Sequence, residues 1–317
     1  SGGDYKWNYE IQVGIPQYFA GVGAGFWSTK AGAGTARHRT ACFSLNGFGY
    51  ICSGYTGSSY SSEVNKYNDI ADTWTTKAGA GTERTGPACF SLNGFGYTCS
   101  GYTGSINLSE VNQYNDIADT WTTKAGAGTA RNHTSGFSLN GFGYICSGYT
   151  GSYLSEVNQY NDIADTWTTK AGAGTARYVV GCFSLNGFGY VCSGFGGSYS
   201  SEVNQYNDIA NTWTTKAGAG TARYADAGFS LNGFGYVCNG YDGSSHRSEV
   251  NQYNDNVDTW TTKDGAGPAR SFLGGFSLNG LGYVCNGYDG SLHRSDVNQY
   301  STNDSLPVLN VTLSVDE

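Results

Sequence analysis

The 317-residue sequence contains no methionine, four prolines, four histidines and few charges, which make up 13% of it. Scarce proline leaves room for uninterrupted strands. The missing methionine fits removal of an initiator ahead of Ser1, or a processed or partial chain. No run approaches the roughly 18 to 20 apolar residues needed to cross a bilayer. The opening SGGDYKWNYE lacks the basic and apolar regions of a signal peptide. These absences predict a soluble chain with no membrane insertion. Lys and Arg are scattered one or two per repeat against a formal charge of −8, so no basic stripe could neutralise a phosphate backbone and nucleic acid is not an expected partner. The nine cysteines are odd in number, which excludes a complete intrachain disulfide framework, and their spacing is that of a repeat, not of a metal knuckle.

In their place stand 49 glycines, 25 tyrosines and 7 tryptophans, a composition that fills a β core better than a helical bundle. Trp27, Trp74, Trp121, Trp167, Trp213 and Trp260 recur every 46 or 47 residues, the period of a four-stranded propeller blade. One unit, residues 37 to 83, reads ACFSL, the turn Asn46-Gly47, FGYIC, SEVNKY and TWTTK. Asn-Gly between β-rich runs signals a hairpin, so these runs are expected to be strands A, B, C and D. Asn68, Asp69 and Asp72 suit a turn between C and D. Units opened by Arg37, Arg84, Arg131, Arg177, Arg223 and Arg270 give five complete sets, while the sixth stops after C at Tyr300. An orphan D run, FWSTK around Trp27, precedes the first unit. The expected fold is therefore an all-β, six-bladed β-propeller in which the N-terminal strand completes the last blade and closes the ring. Residues 1–25 and 301–317 become extensions to a propeller spanning 26–300. Pro307 and the lack of Trp argue against LPVLNVTLSV as the last blade's own fourth strand.

Across residues 26–300 the pattern resembles the kelch family: a small-residue pair after B, Tyr67 in C and Trp74 in D recur in every unit. The resemblance implies four-stranded kelch-like blades and binding more often than catalysis. The family's double glycine is here Ser53-Gly54, or Asn239-Gly240 in later units.

Strand alternation places the B–C loops and D–A connections on one face and the Asn-Gly and C–D turns on the other. The second face is nearly constant. The first differs after each Arg, as HRT, TGP, NHT, YVV, YAD and SFL, and within the B–C loops. A fixed scaffold displaying a tailored surface would look this way, and Tyr, Ser, Asn, His and Arg together recur in paratopes. Neutral drift in tolerant loops is the competing explanation. Candidate ligand-binding residues are His38, Arg39, Tyr153, Tyr178, Tyr199, Tyr224, Asp226, His246, Arg247, Phe272, His293 and Arg294. His38, Arg39, His246, Arg247, His293 and Arg294 come from blades that adjoin once the ring closes, forming an expected cationic sector beside an aromatic one, which would suit acidic or neutral glycans. The alternative for the His and Arg residues is pairing with Asp242, Asp289 and water in solvated loops.

Each opening Arg has an acidic counterpart, Glu63, Glu110, Glu156, Glu202, Glu249 or Asp296, which predicts one structural Arg–carboxylate pair per blade. Lys30 and its equivalents close each D run, where a charge discourages edge pairing. Cys52 and its equivalents in B read as packing groups between blades. Cys42, Cys89 and Cys182 in A face away from them, which disfavours bridges within a blade. Copper chemistry would need more histidine than is present, NDIADT lacks a calcium loop's ligand pattern, and no Ser-His-Asp order, P-loop or dinucleotide fingerprint occurs. The expectation is a non-enzymatic chain without metal or cofactor. It would be an attachment protein at a cell or virion surface, binding carbohydrate or a cell-surface protein. A structural component docked through the terminal extensions, or an intracellular kelch adaptor, are the alternatives.

Overall fold

A computed structural model describes residues 25–302. Its 24 strands form six separate four-stranded antiparallel sheets. Blade one consists of β2 (Ala41–Leu45), β3 (Phe48–Tyr55), β4 (Tyr60–Asn68) and β5 (Thr73–Lys77), which pair in sequence order as A, B, C and D. Strands β6 to β21, residues 88 to 263, repeat the arrangement four times. The last blade contains β22 (Gly274–Leu278), β23 (Leu281–Cys285) and β24 (Val297–Ser301), and its outer strand is β1 (Phe26–Lys30), paired from Phe26 opposite Ser301 to Lys30 opposite Val297. The six-bladed propeller, closed by its N-terminal strand, is as the repeat predicted. Most of the two extensions, residues 1–24 and 303–317 with Pro307 and the LPVLNVTLSV segment, lies outside the described residues.

The core lies between blades. Phe43 of blade one projects over Gly96 of blade two, where an added Cβ would sit 2.3 Å from the ring, and the same Phe-on-Gly contact recurs at every interface, ending with Phe276 on Gly49. A glycine is required there because the ring occupies the space of its side chain. Tyr67 stacks on Trp74 at 4.6 Å, and the Trp74 indole donates to the Ala31 carbonyl of the preceding connection at 2.8 Å. Asp72 accepts from the Tyr67 hydroxyl at 2.7 Å and from the Ala31 amide at 3.0 Å. One Asp thus ties the C–D turn to both its own blade and its neighbour.

The expected Arg–carboxylate pairs form in five blades: Arg37–Glu63, Arg84–Glu110, Arg131–Glu156, Arg177–Glu202 and Arg223–Glu249. Every one of these guanidinium groups is buried. Burial alone would raise Glu63, but hydrogen bonds from Thr35 and the charge of Arg37 hold its carboxyl below the usual range. The sixth pair differs from expectation. Asp296 is one methylene shorter than Glu and is taken by Arg294 at 2.6 Å, while Arg270 keeps the bond to Asn298 that its counterparts also make to the equivalent Asn.

The small pair after B also has its reason in the backbone. Ser53 and Gly54 have φ of 60° and 119°, and Asn239 and Gly240 have 62° and 107°. Asn tolerates the left-handed region better than most residues, and Gly freely. The Gly54 amide then reaches the Arg84 carbonyl of the next blade at 2.8 Å, and Gly287 closes the circuit on Arg37 at 3.0 Å. All nine cysteines are free. Those of strand B are buried between blades, whereas Cys42, Cys89 and Cys182 line the central channel.

Candidate functional site

The face carrying the B–C loops and D–A connections, here the upper face, surrounds the mouth of the central channel. Six residues placed two after each opening Arg form its rim: Arg39, Gly86, His133, Val179, Ala225 and Phe272. All six have φ between 50° and 61°. Five of their amides donate to the preceding blade's carbonyl: Arg39 to Phe272 at 2.8 Å, Gly86 to Arg39 at 2.9 Å, Val179 to His133 at 3.2 Å, Ala225 to Val179 at 3.0 Å and Phe272 to Ala225 at 2.8 Å. Gly86 shows that glycine fits this backbone, yet five blades place side chains there. Holding a branched residue such as Val179 in this region costs on the order of 1–2 kcal/mol.

Aromatic rings stand around this rim in a nearly continuous belt. Tyr149, Tyr153, Tyr178, Phe195, Tyr199, Tyr224 and Tyr241 follow one another with ring centres 5.1 to 6.3 Å apart. His246 and Tyr288 carry the belt on to His293, and His38, Tyr55 and Tyr60 extend it to Tyr102. The run breaks where Asn107 and Asn132 bond each other at 2.6 Å. Of the aromatic candidates, Tyr153, Tyr178, Tyr199, Tyr224 and Phe272 are brought together. Burial, then the neighbouring phenols, push the Tyr224 hydroxyl up to about 12, so it stays a neutral donor.

The expected cationic sector is largely neutralised. Arg247 is paired with Asp242, and Arg294 with Asp289 and Asp296, the pairing in solvated loops that the sequence left open. The His38 and His293 rings stack at 4.8 Å with their Nδ1 atoms 2.9 Å apart, an arrangement in which one nitrogen carries a proton and the other accepts it. Burial, with Arg39 and His293 beside it, pushes His38 down to about 3 against the opposing Tyr55 carbonyl. His246 is also lowered, first by burial. Arg39 is different: its guanidinium lies 4.5 Å above the Phe272 ring, in a cleft of about 230 Å³ with His38, Tyr55, Tyr288 and His293.

Asp226 does not lie on the face. It sits one residue past the rim, in the channel wall, with a fully buried side chain 3.6 Å from Arg223. Neither carboxylate oxygen makes a well-aligned hydrogen bond, although Arg223, Ser193 and the backbone amide of Asp226 lie close enough to pull against the effect of burial. The left-handed residue before it turns the chain, so Thr40, Thr134, Asp226 and Leu273 point below the mouth and not into the basin.

Sequence reasoning missed His133 and the first tyrosine of each B–C loop, Tyr55, Tyr102, Tyr149, Tyr241 and Tyr288, with Phe195 in blade four. These rings are repeated and so show no contrast between blades. The alignment of His133 with Arg39 and Phe272 was the available signal.

With the ring, its basin and its channel in view, comparison with known proteins bears on the fold. The chain resembles YjhT in structure. The solved structure of YjhT superposes with a TM-score of 0.74, covering 87% of this chain and 98% of YjhT, at 13% sequence identity. The likeness to YjhT at that identity concerns the propeller itself. No protein family and no curated protein matches the sequence.

Proposed function

We propose that this chain is a non-enzymatic recognition scaffold that binds glycan through its upper face. The aromatic belt carries the reading. Tyrosine rings offer flat apolar surface to the C–H faces of sugars and hydroxyls to their polar edges, at little cost in side-chain entropy. The strained rim supports it, because five non-glycine residues are held in a backbone that glycine would satisfy. Its kelch-like repeat and propeller fold are compatible with binding, and an attachment role at a cell or virion surface fits the Tyr-, Ser- and Asn-rich loops. A cell-surface protein is the other class of ligand for this basin.

Presented to a broad glycan array, the protein should bind a defined subset, and Tyr178→Ala combined with Tyr224→Ala should weaken that binding at least about tenfold while the fold is retained. Undiminished binding by the double variant, or no binding to any glycan, would overturn the reading.

A second role, as a component of a larger assembly, rests on the opposite face. β1 begins and β24 ends on that face, which also carries the exposed Ile70, Ile117, Ile163 and Ile209 in blades one to four. An intracellular adaptor would use the same scaffold for a protein segment.

A further inference from the structure

The arginines of this chain are consistently provided with partners. Five opening arginines meet glutamates, Arg247 meets Asp242, Arg294 meets Asp289 and Asp296, and the buried Arg270 bonds Asn298 and the Val284 carbonyl. Arg39 has no ion pair and no side-chain hydrogen bond among the described residues; its buried Nε is unpartnered, as are those of Arg131, Arg177, Arg223 and Arg270, but each of these four has a bonded Nη2 and Arg39 has none. Burial lowers its pKa, and what offsets this is the hydroxyls of Tyr224, Tyr178, Tyr60 and Tyr55, not a carboxylate. The group nonetheless stays charged, as a guanidinium does in proteins.

Its placement is as specific as its isolation. A cation–π contact on Phe272, 4.5 Å from the guanidinium carbon to the ring centre, holds the group at the rim of the channel, and its N–H edges remain free to donate. His38 and His133 add no charge: burial and Arg39 itself hold both low. In a chain of net charge −8, the centre of the basin therefore carries the unpaired charge of Arg39 with a planar row of N–H donors. That edge matches a carboxylate or sulfate, which can accept two parallel hydrogen bonds.

We propose that Arg39 is the anchor for a single oxyanion on the ligand, so that the glycans taken by the upper face are acidic ones bearing a carboxylate or a sulfate. This rests on the glycan reading above and adds the class of ligand. The tyrosine belt supplies contact common to neutral and acidic sugars, and Arg39 supplies the preference.

The test compares neutral, carboxylated and sulfated oligosaccharides of matched length, titrated calorimetrically into the intact protein. At least one acidic series should bind about tenfold or more tightly than its neutral counterpart, and this preference should shrink as salt rises from 0.05 to about 0.5 M. Arg39→Ala should abolish the preference while keeping the residual neutral binding; Arg39→Lys, which retains charge without the planar fork, should fall between. Preference for carboxylate over sulfate, or the reverse, identifies the group. Equal binding of neutral and acidic sugars, or a preference unchanged by salt and by either Arg39 variant, would overturn the anchor while leaving glycan binding intact. Absence of binding by every oligosaccharide would overturn both. The salt series on the unaltered protein stands even where Arg39→Ala fails to fold.

Discussion

The two faces of the ring are built from the same repeat and differ in what they tolerate. On the lower face each Asn-Gly turn is bonded to the next blade: Asn93 reaches Asp162 at 3.0 Å, Asn140 reaches Asp208 at 2.9 Å and Asn279 reaches Asp69 at 3.0 Å. Side chains and turn backbone there serve the ring, and the sequence barely changes. The upper side of the ring holds features that cost stability: left-handed residues such as Val179 and Phe272, where the lower-face turns place Asn, Asp and Gly, an unpaired guanidinium at Arg39 and, below the mouth in the channel wall, the buried carboxylate of Asp226. It varies at those very positions. A repeat copied six times for structure alone would have no reason to accumulate its costs on one side.

Three changes would test this contrast. The largest effect is expected where the upper face rests on its supports. Arg177→Ala removes a buried guanidinium that bonds Glu202 and Asn204, leaving Glu202 only its Thr175 contacts, and denaturant unfolding should show a loss of about 3–5 kcal/mol. A loss near zero would mean that the pair supports nothing.

Asp226→Asn should act in the opposite direction. Burial raises this carboxyl to about 6, against the pull of Arg223. A group raised above its unfolded value of 3.8 costs nothing below that value and progressively more as pH rises towards 6, beyond which the penalty is constant. The variant should therefore be more stable than the parent by about 2 kcal/mol at pH 7 and equal to it near pH 3.5, as measured by paired unfolding curves. Equal stability at both pH values would show that burying Asp226 in the channel wall costs nothing.

The smallest effect belongs to the lower face. Ile70, Ile117, Ile163 and Ile209 are 90 to 94% exposed at turn tips whose geometry comes from Asn side chains, and blade five forms the same turn with Asn256. Replacing all four by Ser should change stability by less than about 0.5 kcal/mol per site and leave the proposed glycan binding at the upper face untouched. A loss of several kcal/mol would show that these side chains belong to the fold after all.

The difference between the faces also explains what was legible beforehand. Blade count, strand order and closure by FWSTK follow from the period, because a repeat with a missing strand at one end and a spare at the other has one economical ring. The Arg–Glu pairs were legible because both partners recur together; Asp296 fails where one methylene and a local competitor, Arg294, decide. The depth of Asp226 was hidden because nothing in Tyr-Ala-Asp announces a positive φ at Ala225, and that one dihedral moves the next side chain from basin to channel. The belt was half visible. Differences between blades revealed Tyr178 and Tyr224, whereas identity concealed Tyr149 and Tyr241.

Closure has a temporal side. Ser28 bonds Gln299 across a separation of 271 residues, so the strand synthesised ahead of every complete blade is the one whose partner emerges last. Until β24 is available, β1 has no sheet to join, and blade six keeps an open edge until the two meet. Contacts of such long range are slow to form, and this single antiparallel seam is where assembly of the propeller would finish and where unzipping under load would start.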